Sequence, residues 1–351
     1  MLPDEPRPQS PSAASEDLKR RARVLTLPEG EELPNLPDDR LLGSGLPPRP
    51  DKGADPELYA LWHRMLTPPL RYPKVELALH HAGGPRLARI APAGGGGAAA
   101  EMDSANMTRM GNSQNWSGAF IQAHDGGRFS AVWGNWHVPA PGEPADADPT
   151  KPPPGGQYEC STWIGLDGRR QHSVSLPQMG TLQVLKPVKG KWKPEVAVWH
   201  QWWIRNQKFP YVILKGFKLD AGDEVIATLT VVNPMRVHFT IKNQDKGDIA
   251  TVGWDADSPL APVEGSTAEW IVERPTDLKD DSILYELPDY EQVAFMGCTA
   301  TMAGQSRTLE AARLIRMYKS HAGTSGTACI SVPDWAAPRH RSLNVVYRGP
   351  P

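Results

Sequence analysis

Apolar and polar residues alternate along Ser266-Thr267-Ala268-Glu269-Trp270-Ile271-Val272-Glu273, and a period of two with aromatic and β-branched types predicts a strand. Alternation sets Glu269, Ile271 and Glu273 on one face and Trp270 and Val272 on the other. If the Trp270 face packs into the core, two carboxylates and an isoleucine look out of the opposite side. A carboxylate fixed on a sheet ladder is well placed for acid–base work. The plainer alternative is a solvated glutamate on an exposed sheet face.

Short segments of the same kind recur from Asn115 onward, at residues 119–121, 129–133, 136–138, 161–166, 174–178, 197–204, 211–214, 224–232, 236–243, 267–273, 292–302, 313–317, 329–332 and 343–347. Turn signals such as Asp125-Gly126-Gly127 and a proline-rich loop from Pro139 to Pro154 separate them. No helical period alternates with these segments, so the expectation is an all-β, antiparallel β-sandwich.

The first part of the chain reads differently. Residues 1–53 are proline-rich and charged with few aromatics, which predicts a largely disordered tail. Asp55-Pro56-Glu57-Leu58 predicts a short helix through about Met65, with Asp55 as N-cap and Pro56 at the first helical position. Its stripe of Leu58, Leu61, Trp62 and Met65 predicts a face docked on the domain that follows. His80-His81 has no further ligands at suitable spacing, so metal is not expected there. A Gly/Ala-rich linker ends at Gly94-Gly95-Gly96-Gly97. The expected organisation is a tail over 1–53, a helix and linker over 54–112, and a sandwich domain over 113–351.

Composition narrows the function. The 351 residues carry a net charge of −2, with no basic run long enough to track phosphates, so nucleic acid is not an expected partner. No apolar run approaches the roughly 18 residues of a membrane span. Lys19-Arg20-Arg21-Ala22-Arg23 is not followed by the apolar stretch of a signal peptide. The three cysteines, Cys160, Cys298 and Cys329, allow at most one bridge.

Twelve tryptophans are a heavy load. In Val198-Trp199-His200-Gln201-Trp202-Trp203, alternation gives Trp199, Gln201 and Trp203 one face and His200 and Trp202 the other. One set belongs to the core and the other to a cleft or open face, where aromatic walls bind extended peptides or sugar rings.

Five motifs then fall in order: Asn115-Trp116-Ser117-Gly118, Trp163-Ile164-Gly165-Leu166-Asp167-Gly168, Gln178-Met179-Gly180, Trp199-His200-Gln201-Trp202-Trp203 and Ala268-Glu269-Trp270-Ile271-Val272-Glu273. Together they resemble the glutamic peptidases, the eqolisin family, over about residues 113–349. The resemblance implies two large packed sheets of the concanavalin A-like type, and an endopeptidase whose catalytic pair is Gln178 and Glu273. It implies a cleft lined by Trp116, Trp163 and Asp167, with Gln201 and Trp203 beside them. Ionised Glu273 would take a proton from a water, Gln178 would donate to the oxyanion, and Glu273 would then protonate the leaving amine. No metal or other cofactor is needed. The implied partner is a peptide or unfolded protein, cut by a monomer at acidic pH. Family precursors carry leader segments, so the first hundred or so residues are a candidate propeptide. The sparse cysteines suggest a bacterial-type branch. Export is implied by the resemblance, whereas the missing signal peptide points to the cytoplasm.

The chain departs from the family pattern at Ala197 and Gln201, where the family has acids. Without those neighbours Glu273 is expected to titrate nearer its ordinary value, with activity reaching less acidic pH. The departures also keep open an inactive sandwich that binds peptide or carbohydrate on its Trp-lined face. A glycosidase would need two facing carboxylates, and Glu269 and Glu273 lie about 13 Å apart along one strand face, too far for that chemistry.

Overall fold

The computed structural model describes residues 16–18, 20–80, 83–84, 86–87, 89, 110–169, 173–205, 210–256, 261–280, 282–320, 327–338 and 340–349. Among the described residues, twenty strands run in chain order: β1 Ala22–Val24, β2 Glu76–His80, β3 Gly83–Gly84, β4 Met110–Ser113, β5 Trp116–Gln122, β6 Phe129–His137, β7 Tyr158–Leu166, β8 Ser175–Val188, β9 Lys191–Ile204 and β10 Tyr211–Lys215. They continue as β11 Glu224–Asn233, β12 Arg236–Asn243, β13 Ile249–Asp255, β14 Thr267–Glu273, β15 Thr276–Asp277, β16 Gln292–Met302, β17 Gln305–Arg307, β18 Arg313–Ser320, β19 Thr327–Trp335 and β20 Leu343–Tyr347.

Two antiparallel sheets pack face to face. The inner sheet runs β2-β10-β9-β8-β7-β14-β5-β18-β19-β20, and β4 lies parallel beside β18. The outer sheet runs β1-β13-β12-β11-β6-β16. β16 belongs to both, pairing β20 with its first half and β6 with its second across an irregularity between Met296 and Thr299. Between the layers lie Trp136, Leu229, Phe239 and Trp254 from the outer sheet and Ile164, Met179, Trp202, Trp270 and Val272 from the inner one, all buried. The alternation read from the sequence therefore holds: Trp270 and Val272 enter the core, and Ile271 joins a separate apolar cluster on the far face of the inner sheet.

The strand pattern corrects several boundaries. Residues 129–137 form one strand, and β8 and β9 extend into a long hairpin turned by Lys189 and Gly190, both with positive φ. β13 was not expected, because Gly253 and small residues weaken its apolar signal, yet Val252 and Trp254 are core residues.

Over the described residues from Arg20 to Gly53, the expected disordered tail is overturned. β1 extends the outer sheet beside β13, a short helix α1 spans Asp38–Gly43, and Leu33, Leu41 and Leu46 are fully buried. Helix α2, Pro56–Leu66, starts as the sequence predicts, with the Asp55 carboxylate accepting from the Leu58 N–H at 2.9 Å. Its stripe of Leu58, Leu61, Trp62 and Met65 packs with those leucines against Ala131, Trp133, Ile226 and Ile249 of the outer sheet. Isolated leucines among prolines carry no period, but each finds a place on the outer sheet, and burying a side chain of this size contributes roughly 1.5–3 kcal/mol. Residues 1–15, His81 and Gly94 to Gly97 lie outside the described residues.

Candidate active site

β14 lies between β5 and β7, in the middle of the inner sheet, so Glu273 stands opposite Trp116 on one side and Ser161 on the other. Its carboxyl is fully buried. The Trp163 indole donates to Oε2 at 2.9 Å, and the Asn115 amide lies 3.5 Å from Oε1. The Trp116 and Trp163 rings meet edge to face with centroids 5.0 Å apart, which walls off this end of the site.

The third donor comes from the chain's own N-terminal part. Arg86 N–H donates to Glu273 Oε1 at 2.8 Å, and the Arg86 carbonyl accepts from the Trp116 indole at 3.0 Å. Asn115 grips the same segment through Arg89 N–H, at 2.7 Å, and through the Leu87 carbonyl, at 3.1 Å. β3 pairs with β15 just beyond β14 and holds the start of this strap in place. Burial under it pushes Glu273 up to about 8, only partly offset by the donors on its oxygens. The expectation that Glu273 titrates near its ordinary value is thereby corrected. Burial is the largest cause, and the Arg86, Trp116, Trp163 and Asn115 donors pull the other way.

Gln178 is on β8, fully buried, and faces the same side as Glu273. Neither its amide nitrogen nor its oxygen has a hydrogen-bond partner among the described residues. The ladder places Gln178 opposite Gly165 of β7, and Gly165 opposite Glu269 of β14. Glu273 therefore lies two strands across from Gln178, about 10 Å, and four residues along, about 13 Å. Gly180, which closes the Gln178-Met179-Gly180 motif, has a steric reason: a Cβ there would lie 2.0 Å from the Thr162 carbonyl.

The remaining expected site residues divide. Trp116, Trp163 and Trp203 share one apolar cluster on this face with Trp199, Tyr211 and Ile271. Trp202 turns into the core, and His200 packs on Phe239 and Trp254, as alternation requires. Gln201 stands opposite Gln178 and donates to the Pro210 carbonyl at 3.2 Å. Asp167 sits in a left-handed turn, φ 70°, and its carboxylate accepts from the backbone of Glu264, Gly265 and Ser266 and from the Ser266 hydroxyl. It fixes the loop leading into β14.

Asn115 and Tyr211 also belong to the site. Asn115 could have been found, because it heads the first motif. Tyr211 packs on Trp199 with ring centroids 4.3 Å apart and planes tilted by 59°, and the strap around Arg86 has no residue pattern that would have marked it.

The profile of the peptidase A4 family matches residues 114–333, from the start of β5 into β19. The chain belongs to the peptidase A4 family. It is thus a peptidase of the glutamic type, a hydrolase acting on peptide bonds, and its substrates are peptides or proteins. Among solved structures, scytalido-glutamic peptidase with a transition state analog inhibitor superposes with a TM-score of 0.51 at 16% identity, covering 67% of this chain and 98% of that one. The same peptidase with a peptide based transition state analog gives 0.50 at 17% identity, with the same coverage. At such identities the likeness speaks for the fold of this A4 peptidase. No curated protein matches.

Proposed function

We propose that this peptidase cuts its substrates with Glu273 and Gln178, and that the substrate lies across the inner sheet where Arg86, Leu87 and Arg89 now lie. The observation that carries this reading is the grip on Arg86. Its N–H and its C=O are held at once, by Glu273 and by Trp116. A site that holds both polar groups of one residue's main chain is suited to peptide backbone of any sequence.

The chemistry follows from which oxygen is engaged. Trp163 holds Oε2, and Oε1 faces the strap, so a water replacing the Arg86 N–H would meet Oε1. Ionised Glu273 takes a proton from that water as it attacks the scissile carbonyl. Gln178, whose amide has no competing partner among the described residues, donates to the oxyanion. The two side chains reach toward each other over the offset between their strands, and the water and the carbonyl lie between their ends. Protonated Glu273 then delivers its proton to the leaving amine. Trp116, Trp163 and Trp203 wall the cleft, and Gln201 fixes one end of it. Asp167 supports the cleft through its turn. Entry of water lowers the Glu273 carboxyl from its covered value, and the working range we propose is weakly acidic.

The peptidase unit spans 113–351, but residues 22–66 are packed into its outer sheet and β2 into its inner one. The covering piece is the strap that carries Gly83, Gly84, Arg86, Leu87 and Arg89, and a cut between it and β4 would free the strap while the rest stays docked. The test is incubation of a denatured protein with the full chain beside its Glu273→Gln variant. New termini found by mass spectrometry with the wild type alone support the proposal, and equal cutting by both sinks it.

A further inference from the structure

The inner sheet carries a concavity on the face that bears Glu273, and the steps above do not use it. Its volume is about 240 Å3, and it is lined by Leu182 and Val184 of β8, Ala197 of β9, Ile213 of β10, and Ala78 and His80 of β2. Leu182 and Val184 belong to the same apolar cluster as Trp116 and Trp163, and Ile213 packs against it. Both β8 residues are buried, whereas Ala197, Ile213, Ala78 and His80 are half-buried and leave the space open.

Strand register ties this space to Glu273. Glu273 stands opposite Ser161, Ser161 opposite Leu182, and Leu182 opposite Ala197. Three steps between strands of about 4.8 Å place Ala197 roughly 14 Å across the sheet from Glu273. The strap crosses the strands in the same sense: a Cβ on Gly83 would lie 2.5 Å from Glu159 Oε1 on β7, and Arg86 meets Glu273 on β14. His80, the last residue of β2, borders the concavity. The polar groups around the space are engaged with one another. His80 Nε2 lies 3.6 Å from Glu159 Oε2, Lys186 pairs with Glu195 at 2.6 Å, and Lys215 stands opposite Glu76. What is left to a ligand is aliphatic wall, and a charged side chain entering it would lose water without gaining a partner. Part of that wall is particular to this chain. β2 lies ahead of residues 114–333, the part matched by the peptidase A4 profile, and five paired residues hold it to β10 independently of the strap. Ala197 presents only a methyl group where the family has an acid.

We infer that this concavity is a specificity subsite that takes one large aliphatic side chain of the substrate: leucine, isoleucine or methionine. The inference rests on the proposed path of the substrate over Glu273, and it gives that path a substrate class, extended peptides with an aliphatic anchor away from the cut. An extended peptide advances about 3.3 Å per residue, so the anchor is about four residues from the cleaved bond. Binding energy gained there, remote from the reacting atoms, selects among substrates without altering the chemistry at Glu273.

The test digests a randomised peptide library with the full chain as wild type, Ala197→Phe, Ala78→Leu and Glu273→Gln, reading the cuts by mass spectrometry. At one position about three to five residues from the cut, wild type should favour Leu, Ile or Met over Gly, Lys and Glu by about tenfold or more. Ala197→Phe fills the space from β9 and Ala78→Leu narrows it from β2. In either variant the preference should fall below about twofold, while peptides with Gly at that position are cut as by wild type. An active wild type without the preference overturns the inference, and so does a preference that both folded variants keep. If Glu273→Gln cuts like wild type, the proposed dyad fails instead, and the preference still judges the subsite. A readout without turnover decides the matter separately. In the Glu273→Gln chain with 13C-labelled isoleucine methyl groups, Ile213 should shift when a peptide with leucine at the anchor position is added, and not with its glycine counterpart. An Ile213 methyl that responds to neither peptide, or equally to both, overturns the inference even in a preparation that cuts nothing.

Discussion

The indole of Trp163 donates to Oε2 of Glu273 at 2.9 Å across neighbouring strands of the inner sheet. It is the contact that ties the family's first tryptophan turn to its glutamate strand. Trp163→Phe keeps the ring and removes this donor. A hydrogen bond to a charged group contributes about 1.5–3 kcal/mol, so kcat/KM should fall roughly 10- to 100-fold. Losing a donor disfavours the ionised form, so the rise of rate with pH should move to higher pH. A variant with the wild-type profile would deny Trp163 a role in holding the base.

The burial of Glu273 also predicts how stability varies with pH. Its folded value is raised to about 8, against an unfolded value near 4.3. For an acid raised on folding, the contribution is fully present below the unfolded value and is lost as pH climbs toward the folded one. The thermal midpoint of the full chain should therefore fall, relative to Glu273→Gln, between about pH 4.5 and 8. Parallel curves for the two proteins would show that the carboxyl is not buried as described.

Asp167 separates support from contact with substrate. Its carboxylate takes four donors from residues 264–266. Asp167→Ala should cost about 3 kcal/mol or more by orphaning backbone N–H groups next to β14. The molecules that remain folded should keep their KM within a few-fold. A raised KM with an unchanged thermal midpoint would place Asp167 against the substrate instead.

The strap gives a prediction of the opposite sign. Arg86→Pro deletes the N–H that reaches Glu273 and leaves most side chains in place. The initial rate of the full chain should rise several-fold, and any lag before full activity should shorten. An unchanged rate would show that the strap does not limit access.

How much of this was legible follows from the range over which each signal acts. Period-two alternation is local, and it correctly divided Trp270 and Val272 from Ile271 and Glu273, and Trp202 from Trp199 and Trp203. The cap at Asp55 was legible for the same reason. The fate of Leu33, Leu41 and Leu46 was not, because single leucines between prolines reveal nothing about the distant outer sheet that receives them. The strap was hidden more deeply, since Arg86 meets Glu273 and Trp116 through its main chain, which every residue shares. The titration of Glu273 went with it. The row that joins Gln178, Gly165 and Glu269 depends on strand register, which alternation leaves open.

The most direct measurement is the pH dependence of kcat/KM on a peptide substrate between pH 3 and 8 for wild type, Glu273→Gln and Gln178→Ala, with folding checked by thermal midpoint. Glu273→Gln should lose at least 1,000-fold, estimated from the roughly 100- to 10,000-fold range of acid–base catalysis, and Gln178→Ala about 100- to 1,000-fold. Both should remain folded. Wild-type cutting by a folded Glu273→Gln protein would contradict it.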